Sequence, residues 1–299
     1  MSDFLAEAYP VLSDRLRKLP IADLPTPVST VRFATQAGSR EIFIKRDDLS
    51  GAHYGGNKIR KLEYILQRAR ERNARRIATF GAVGSNHALA TSIMAARSGF
   101  DCTCFLAPQK RTPNVPRTLN MHREIGTELV PFGSAVDQLA TLRRYLHGRR
   151  CWVIPMGGSS WLGAVGFVNA GLELAQQIES GDIAMPHRIY IANGTMGSSA
   201  GLALGIALAK LPIELHAVRV VDDRFATPAG LERLVRKTAM MLHRLDTTIP
   251  ADIADHTRVR WRDEFLAGGY AVSDDVTASA VAIGQTALDL KVEPVSYTH

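Results

Sequence analysis

The chain reads as an α/β protein built on two open, parallel sheets with a ligand cleft between them. Three observations carry that expectation. Short apolar, strand-like segments alternate with longer amphipathic ones through most of the sequence, the pattern of strands joined by crossover helices. Glycine-rich turns stand repeatedly where such a strand gives way to a helix, the position at which open α/β sheets bind ligands. The length of 299 residues suffices for one large or two medium domains, each with a real core.

Strands are expected at residues 41–45, 76–80, 101–106, 128–131, 151–154, 188–192 and 214–220, each a short run rich in aliphatic or aromatic residues. Helices are expected between and after them, at 58–73, 87–98, 135–147, 162–179, 199–210 and 229–242, with a last one at 278–290. No internal repeat, low-complexity tract or flexible linker interrupts the alternation.

Composition removes several classes of function. At 46% hydrophobic and 22% charged, the chain is an ordinary globular sequence. The net charge of +7 would suit an anionic partner, but the cations are dispersed. Arg68, Arg70 and Arg72 are interrupted by Glu71, and their helical spacing reads as a solvated face rather than a nucleic-acid surface. Cys102, Cys104 and Cys151 have neither zinc-site nor redox-motif spacing; buried, reduced thiols are expected, with no metal. No secretory leader opens the chain and no apolar run reaches membrane-spanning length, so a cytoplasmic location with no membrane partner is expected. His53, His122 and His216 show no metal-like spacing.

Four glycine-rich turns carry the candidate chemistry. The first is Gly55-Gly56-Asn57-Lys58, preceded by Lys45-Arg46-Asp47-Asp48-Leu49. A lysine at the start of a helix, with Arg60 and Lys61 nearby, stands among positive charges that favour its free-base form, a nucleophile for an aldehyde. Pyridoxal phosphate (PLP) is the obvious partner for such an amine, and Asn57 could hold its ring hydroxyl. The second turn, Gly81-Ala82-Val83-Gly84-Ser85-Asn86-His87, suits a carboxylate at a helix start capped by Ser85. The third, Pro155-Met156-Gly157-Gly158-Ser159-Ser160, has the composition of a substrate loop or of an ordinary turn. The fourth, Asn193-Gly194-Thr195-Met196-Gly197-Ser198-Ser199, offers backbone N–H groups and hydroxyls to a phosphate monoester. It lacks the closing Gly-Lys-Ser/Thr of a nucleotide loop.

Taken in this order, the turns resemble those of the tryptophan synthase β type of PLP enzymes, and most of all the branch of D-cysteine desulfhydrase and 1-aminocyclopropane-1-carboxylate (ACC) deaminase. The matching residues are Lys45-Arg46-Asp47-Asp48, Gly55 to Glu63, Ser85-Asn86-His87, Gly157-Gly158-Ser159 and Gly194-Thr195-Met196-Gly197. The resemblance implies that Lys58 is the Schiff-base lysine and the acid/base at the substrate α-carbon. It implies that Asn57 contacts the cofactor ring, and that Gly194, Thr195, Met196, Gly197 and Ser198 cradle its phosphate. Ser85, Asn86 and His87, with Gly158, would bind the substrate carboxylate, Ser85 lying close to the reacting atoms. A small domain at 62–166 would be inserted in a larger one formed by 1–61 and 167–299, with PLP in the cleft between them, and the protein would be a homodimer acting on a small amino acid.

His87 at the third position of Ser-Asn-His resembles the desulfhydrases, whereas the deaminases usually carry Gln there. β-Elimination is therefore the expected reaction, giving a keto acid, ammonia and sulfide. ACC deaminase-like ring opening, L-cysteate sulfo-lyase-like elimination and a PLP-binding protein without turnover are the alternatives. The sequence departs from the branch at Gly84, where relatives usually carry Gln, and at Leu89, where they often carry a basic residue. The family's late tyrosine corresponds to Tyr297, shifted by one place. Relatives continue for a further helix and strand, so the chain is expected to be a truncated reading frame.

Overall fold

The computed structural model describes residues 3–288, apart from 36–37, 53, 111, 113, 134–136, 149, 267–271 and 273. Two short helices, α1 (Phe4–Ala8) and α2 (Leu12–Arg15), precede an antiparallel hairpin of β1 (Val28–Thr35) and β2 (Gly38–Lys45). A short 3-10 turn (Asp47–Leu49) then leads to α3 (Asn57–Glu71). Next come β3 (Arg76–Ala82), α4 (Asn86–Arg97), β4 (Asp101–Ala107), α5 (Asn114–Ile125), β5 (Glu128–Pro131), α6 (Gln138–Leu146) and β6 (Cys151–Ile154). The remainder is α7 (Trp161–Glu179), β7 (Arg188–Asn193), α8 (Gly197–Leu208), β8 (Glu214–Arg219), α9 (Pro228–Leu245), β9 (Val259–Arg262) and α10 (Asp275–Leu288).

Two all-parallel sheets form, in the strand orders β5-β4-β3-β6 and β7-β8-β9. The expected α/β class is therefore the observed one, and α1, α2, β1, α5 and β9 are added to the elements that the sequence predicts. The hairpin is antiparallel over its full length, pairing Val28 with Lys45 and Thr35 with Gly38, where the sequence predicts a strand only at residues 41–45. Helix α5 carries Pro116 in its first turn, where the missing N–H breaks no helical bond. Strand β9 is a short, charged edge strand, Val-Arg-Trp-Arg, with no apolar run to announce it.

Helices α3 and α7 pack against each other, α3 also against α4 and α7 against α8 and α9, and they share one core. A single apolar cluster runs from Ile77 and Cys104 through Leu62, Leu66, Val165 and Val168 to Leu204 and Ala217. Close approach between these helices depends on missing side chains. A Cβ on Gly166 would lie 2.1 Å from the Arg60 carbonyl oxygen, and one on Gly201 would lie 1.9 Å from that of Ala164. Any larger residue at either site would force the helices apart. The free thiols of Cys102 and Cys104 are buried side by side on one face of β4, as expected. Among the described residues no helix is long and apolar enough to cross a membrane, and no cluster of side chains could hold a metal ion.

Candidate active site

The lysine turn is built by short-range bonds and a buried ion network. Ser50 Oγ donates to the Gly56 carbonyl at 3.0 Å, and the Gly56 N–H reaches the Asp47 carbonyl at 2.7 Å. A Cβ on Gly55 would sit 1.6 Å from the Asp48 carbonyl oxygen, so only glycine fits there. Gly56 adopts φ 120°, which glycine alone adopts without strain, and turns the chain into α3. Lys58 is thereby fixed as the second residue of the helix.

Behind this turn lies Arg60, whose guanidinium is fully buried. It bonds Asp47 at 2.8 to 3.1 Å, Glu173 of α7 at 2.7 and 3.0 Å, and Thr26 Oγ1 at 2.9 Å. Lys45 Nζ joins the same Glu173 carboxylate and donates to Gln177 Oε1 at 2.8 Å. Burial alone would push Glu173 up; Arg60 and Lys45 overcome it and hold the carboxyl below its usual range.

Lys58 Nζ donates to Asn57 Oδ1 at 2.8 Å, and Asn57 Nδ2 donates to Ser198 Oγ at 3.3 Å. One amide thus joins the lysine turn to the start of α8. Loss of hydration pushes the Lys58 amine down to about 8. This corrects the electrostatic expectation: the positive charge of Arg60 is held by Asp47 and Glu173, and burial, not a crowd of cations, favours the free amine. Acetic anhydride labelling of the cofactor-free protein, quantified at Lys58 by peptide mass spectrometry, should rise with a midpoint near pH 8. A midpoint near pH 10, as for surface lysines, would contradict it.

The phosphate-type loop closes against the turn between β6 and α7. Ser159 Oγ lies 2.7 Å from Thr195 Oγ1 and accepts from the Gly197 N–H at 3.1 Å. Gly157 has φ 66°, and a Cβ there would collide with Thr195 Oγ1 at 1.9 Å. Met196 adopts the left-handed region at φ 67° and packs its sulfur toward Gly230. A residue other than glycine in that conformation is a strain found most often at functional turns. Gly194 is open: a Cβ there would meet nothing nearer than 3.8 Å. The buried Asn193 amide nitrogen has no hydrogen-bond partner.

Lys61 belongs to this loop, whereas the sequence alone reads it only as one of the cations near Lys58. Its ammonium donates to the Gly157 carbonyl at 3.1 Å, and a Cβ on Gly197 would come within 2.9 Å of its Nζ. Burial first, then the nearby Lys58, pull its value well below that of a free lysine. Its signal in the sequence is its place three residues after Lys58, which puts both amines on one face of α3.

At the start of α4, Ser85 caps the helix, its Oγ accepting from the Ala88 N–H at 3.3 Å. Tyr54, from the lysine turn, donates to the Asn86 carbonyl at 3.5 Å. His87 is buried, with Nε2 2.9 Å from Thr79 Oγ1. Desolvation, then Lys58 and Lys61, hold it well below the usual histidine value, the Pro155 carbonyl opposing, so it is neutral. Its ring faces Gly158, where a Cβ would be 3.5 Å from Cε1. These bonds and close approaches join Lys58, Asn57, Ser198, Gly197, Thr195, Gly158 and His87 into one contiguous set, and Ser85 and Asn86 precede His87 at the start of the same helix. Tyr297 lies outside the described residues, as does His53. His122 and His216 are buried elsewhere, bonded to Ser92 and to Glu214 and Arg262.

This donor set suits a phosphate ester carrying an aldehyde. An amine whose free-base form is made accessible by burial stands beside a loop of hydroxyls and helix-start N–H groups, with a second amine against that loop.

Comparison with known proteins agrees. Among solved structures the chain superposes on an ACC deaminase homologue with a TM-score of 0.78 and 27% identity, over 97% of this chain and 86% of that one. A fungal L-serine ammonia-lyase from Rhizomucor miehei superposes with a TM-score of 0.58 at 19% identity, over 89% and 84% of the two chains. A hydrogen sulfide-producing enzyme from Fusobacterium nucleatum does so with a TM-score of 0.53 at 17% identity, over 64% and 58%. The latter two share the fold. The sequence itself matches the family described as pyridoxal-phosphate dependent enzyme over residues 21–298. The chain belongs to the pyridoxal-phosphate dependent enzymes of the tryptophan synthase β-like fold.

Proposed function

We propose that this enzyme is a lyase that eliminates a β-substituent from a small amino acid, in the manner of D-cysteine desulfhydrase, and releases a keto acid, ammonia and sulfide. The observation that carries this reading is the Lys58 amine, pushed down to about 8 and tied through Asn57 to the phosphate-type loop at Ser198. When bound, PLP supplies an electron sink for the pair left at the α-carbon. Lys58 would hold the cofactor and, in the fraction of molecules whose amine is free base near neutral pH, take the proton from that carbon and pass it on as the β-substituent leaves. Lys61 and the Thr195–Ser198 loop bind the phosphate. The N–H groups at the start of α4 orient the substrate carboxylate, and neutral His87 lines the same wall without adding charge.

His87 in the Ser-Asn-His motif favours elimination. ACC deaminase-like ring opening is the second reading, favoured by the similarity to an ACC deaminase homologue. Division into a small domain at 62–166 and a large one, homodimer assembly and a cytoplasmic location complete the proposal.

The test is the visible spectrum of the protein with added PLP, followed by incubation with D-cysteine, L-cysteine, L-cysteate and ACC. A lysine-bound cofactor band, with keto acid and sulfide from D-cysteine, is the expected result. Turnover of ACC alone would replace elimination by ring opening. A band without keto acid from any of the four would leave a cofactor-binding protein and overturn the lyase reading.

A further inference from the structure

The turn that enters α4 lacks a side chain at Gly84, and a residue from the segment after β4 reaches into the space. Val83 donates its N–H to the Ala107 carbonyl at 3.0 Å, so the segment leaving β4 runs beside this turn. From that segment Gln109 reaches over Gly84. Its Oε1 accepts from the Gly84 N–H at 3.2 Å. A Cβ on Gly84 would meet Gln109 Nε2 at 2.9 Å and Oε1 at 3.3 Å. Gln109 thus stands where a side chain at position 84 would begin, together with Val115, whose Cγ2 would lie 3.1 Å from that Cβ.

The other half of the amide is unused. Gln109 Nε2 is out of contact with solvent and has no hydrogen-bond partner. Thr112 Oγ1 and Asn114 Nδ2, further along the same segment, are buried and unpartnered too. An unsatisfied buried polar group costs about 1–3 kcal/mol, and native proteins hold few of them. The Gln109 amide nitrogen, beside a helix start that already suits an anion, marks a place completed by a polar ligand.

We propose that Gln109 is a positioning residue for the substrate carboxylate. Its oxygen braces the Gly84 N–H, and its amide N–H groups donate to an α-amino acid carboxylate seated at the start of α4. This inference rests on the amino-acid lyase reading.

The experiment compares wild type, Gln109→Glu, Gly84→Gln and the double variant Gly84→Gln/Gln109→Ala, all loaded with PLP, on whichever of the four substrates the wild type consumes. Gln109→Glu keeps the oxygen and the shape but replaces the donor with an acceptor. Its loss should fall on KM, raised about 10- to 100-fold by a lost hydrogen bond to a charged group, rather than on kcat. In the cofactor-free protein, Gly84→Gln alone should lower the melting temperature by crowding Gln109, and adding Gln109→Ala should restore it. The double variant should also bring KM back to within a few-fold of wild type, which a bracing role alone would not do. An unchanged KM in Gln109→Glu overturns the proposal while leaving the lyase reading intact. So does a double variant that regains its melting temperature but not its KM. If the wild type shows a cofactor band but consumes none of the substrates, the lyase reading falls and takes this inference with it.

Discussion

Replacing Lys58 by alanine is expected to abolish the lysine-bound cofactor band and lower kcat/KM by about 10⁴-fold or more, as loss of a group that is both covalent anchor and general base does. The expectation follows from three features. The amine is the second residue of a helix whose entry is fixed by Gly55 and Gly56. It is desolvated to a value near 8, so that near neutral pH an appreciable fraction is free base. It is also aimed, through Asn57, at the loop that would hold the phosphate. Lys61 provides the control. It is buried on the same helix face but bonded to the Gly157 carbonyl. Lys61→Met should keep the band and require about 10-fold more PLP to reach it, as for loss of one charge-assisted bond. Absorbance titrations with PLP check both. A band that survives Lys58→Ala and disappears with Lys61→Met would exchange the two roles.

The two lysines also show what the sequence makes legible. Lys58 is readable because its signal is local: glycines, an amide and a helix start, all within four residues. The elements around it are readable for similarly local reasons, since α3 shows a clear amphipathic period while α7 and α8 are apolar runs opened by glycine- and serine-rich turns. The hairpin partner β1 is not, because its alternation is broken by polar residues and its strand is defined only by pairing with β2. Arg60 is misread from sequence alone. Beside Lys58 it looks like a charge that presses on the amine. The carboxylate that neutralises it lies on α7, at Glu173, and no local pattern announces a partner 113 residues away. Gln109 is hidden in the same way, since its contact with Gly84 depends on the parallel pairing of β3 with β4.

That distant pair is the basis of the second large effect. Arg60→Met should destabilise the fold by about 3–5 kcal/mol, the cost of breaking a buried ion pair from one side. The methionine fills much of the space, so the loss is electrostatic: Glu173, without solvent exposure, is left with Lys45 as its remaining ion-pair partner among the described residues. The sign of the burial effect on Glu173 is upward, and Arg60 is the main group reversing it. Without Arg60 the carboxyl must take a proton or stay charged at a cost. Adding Glu173→Gln removes that charge, so the double variant should be less destabilised than the sum of the two single ones. Denaturant unfolding of the four proteins measures the coupling. Additive losses would mean that Arg60 and Glu173 act independently. The same network anchors the turn before α3, because Asp47 binds both Arg60 and, through its carbonyl, the Gly56 N–H. Arg60→Met should therefore also weaken PLP binding in molecules that remain folded, although Arg60 itself points away from the cofactor loop. A network that holds the fold and also sets the place of Lys58 explains why charged groups stand between α3 and α7 where apolar residues would pack more cheaply.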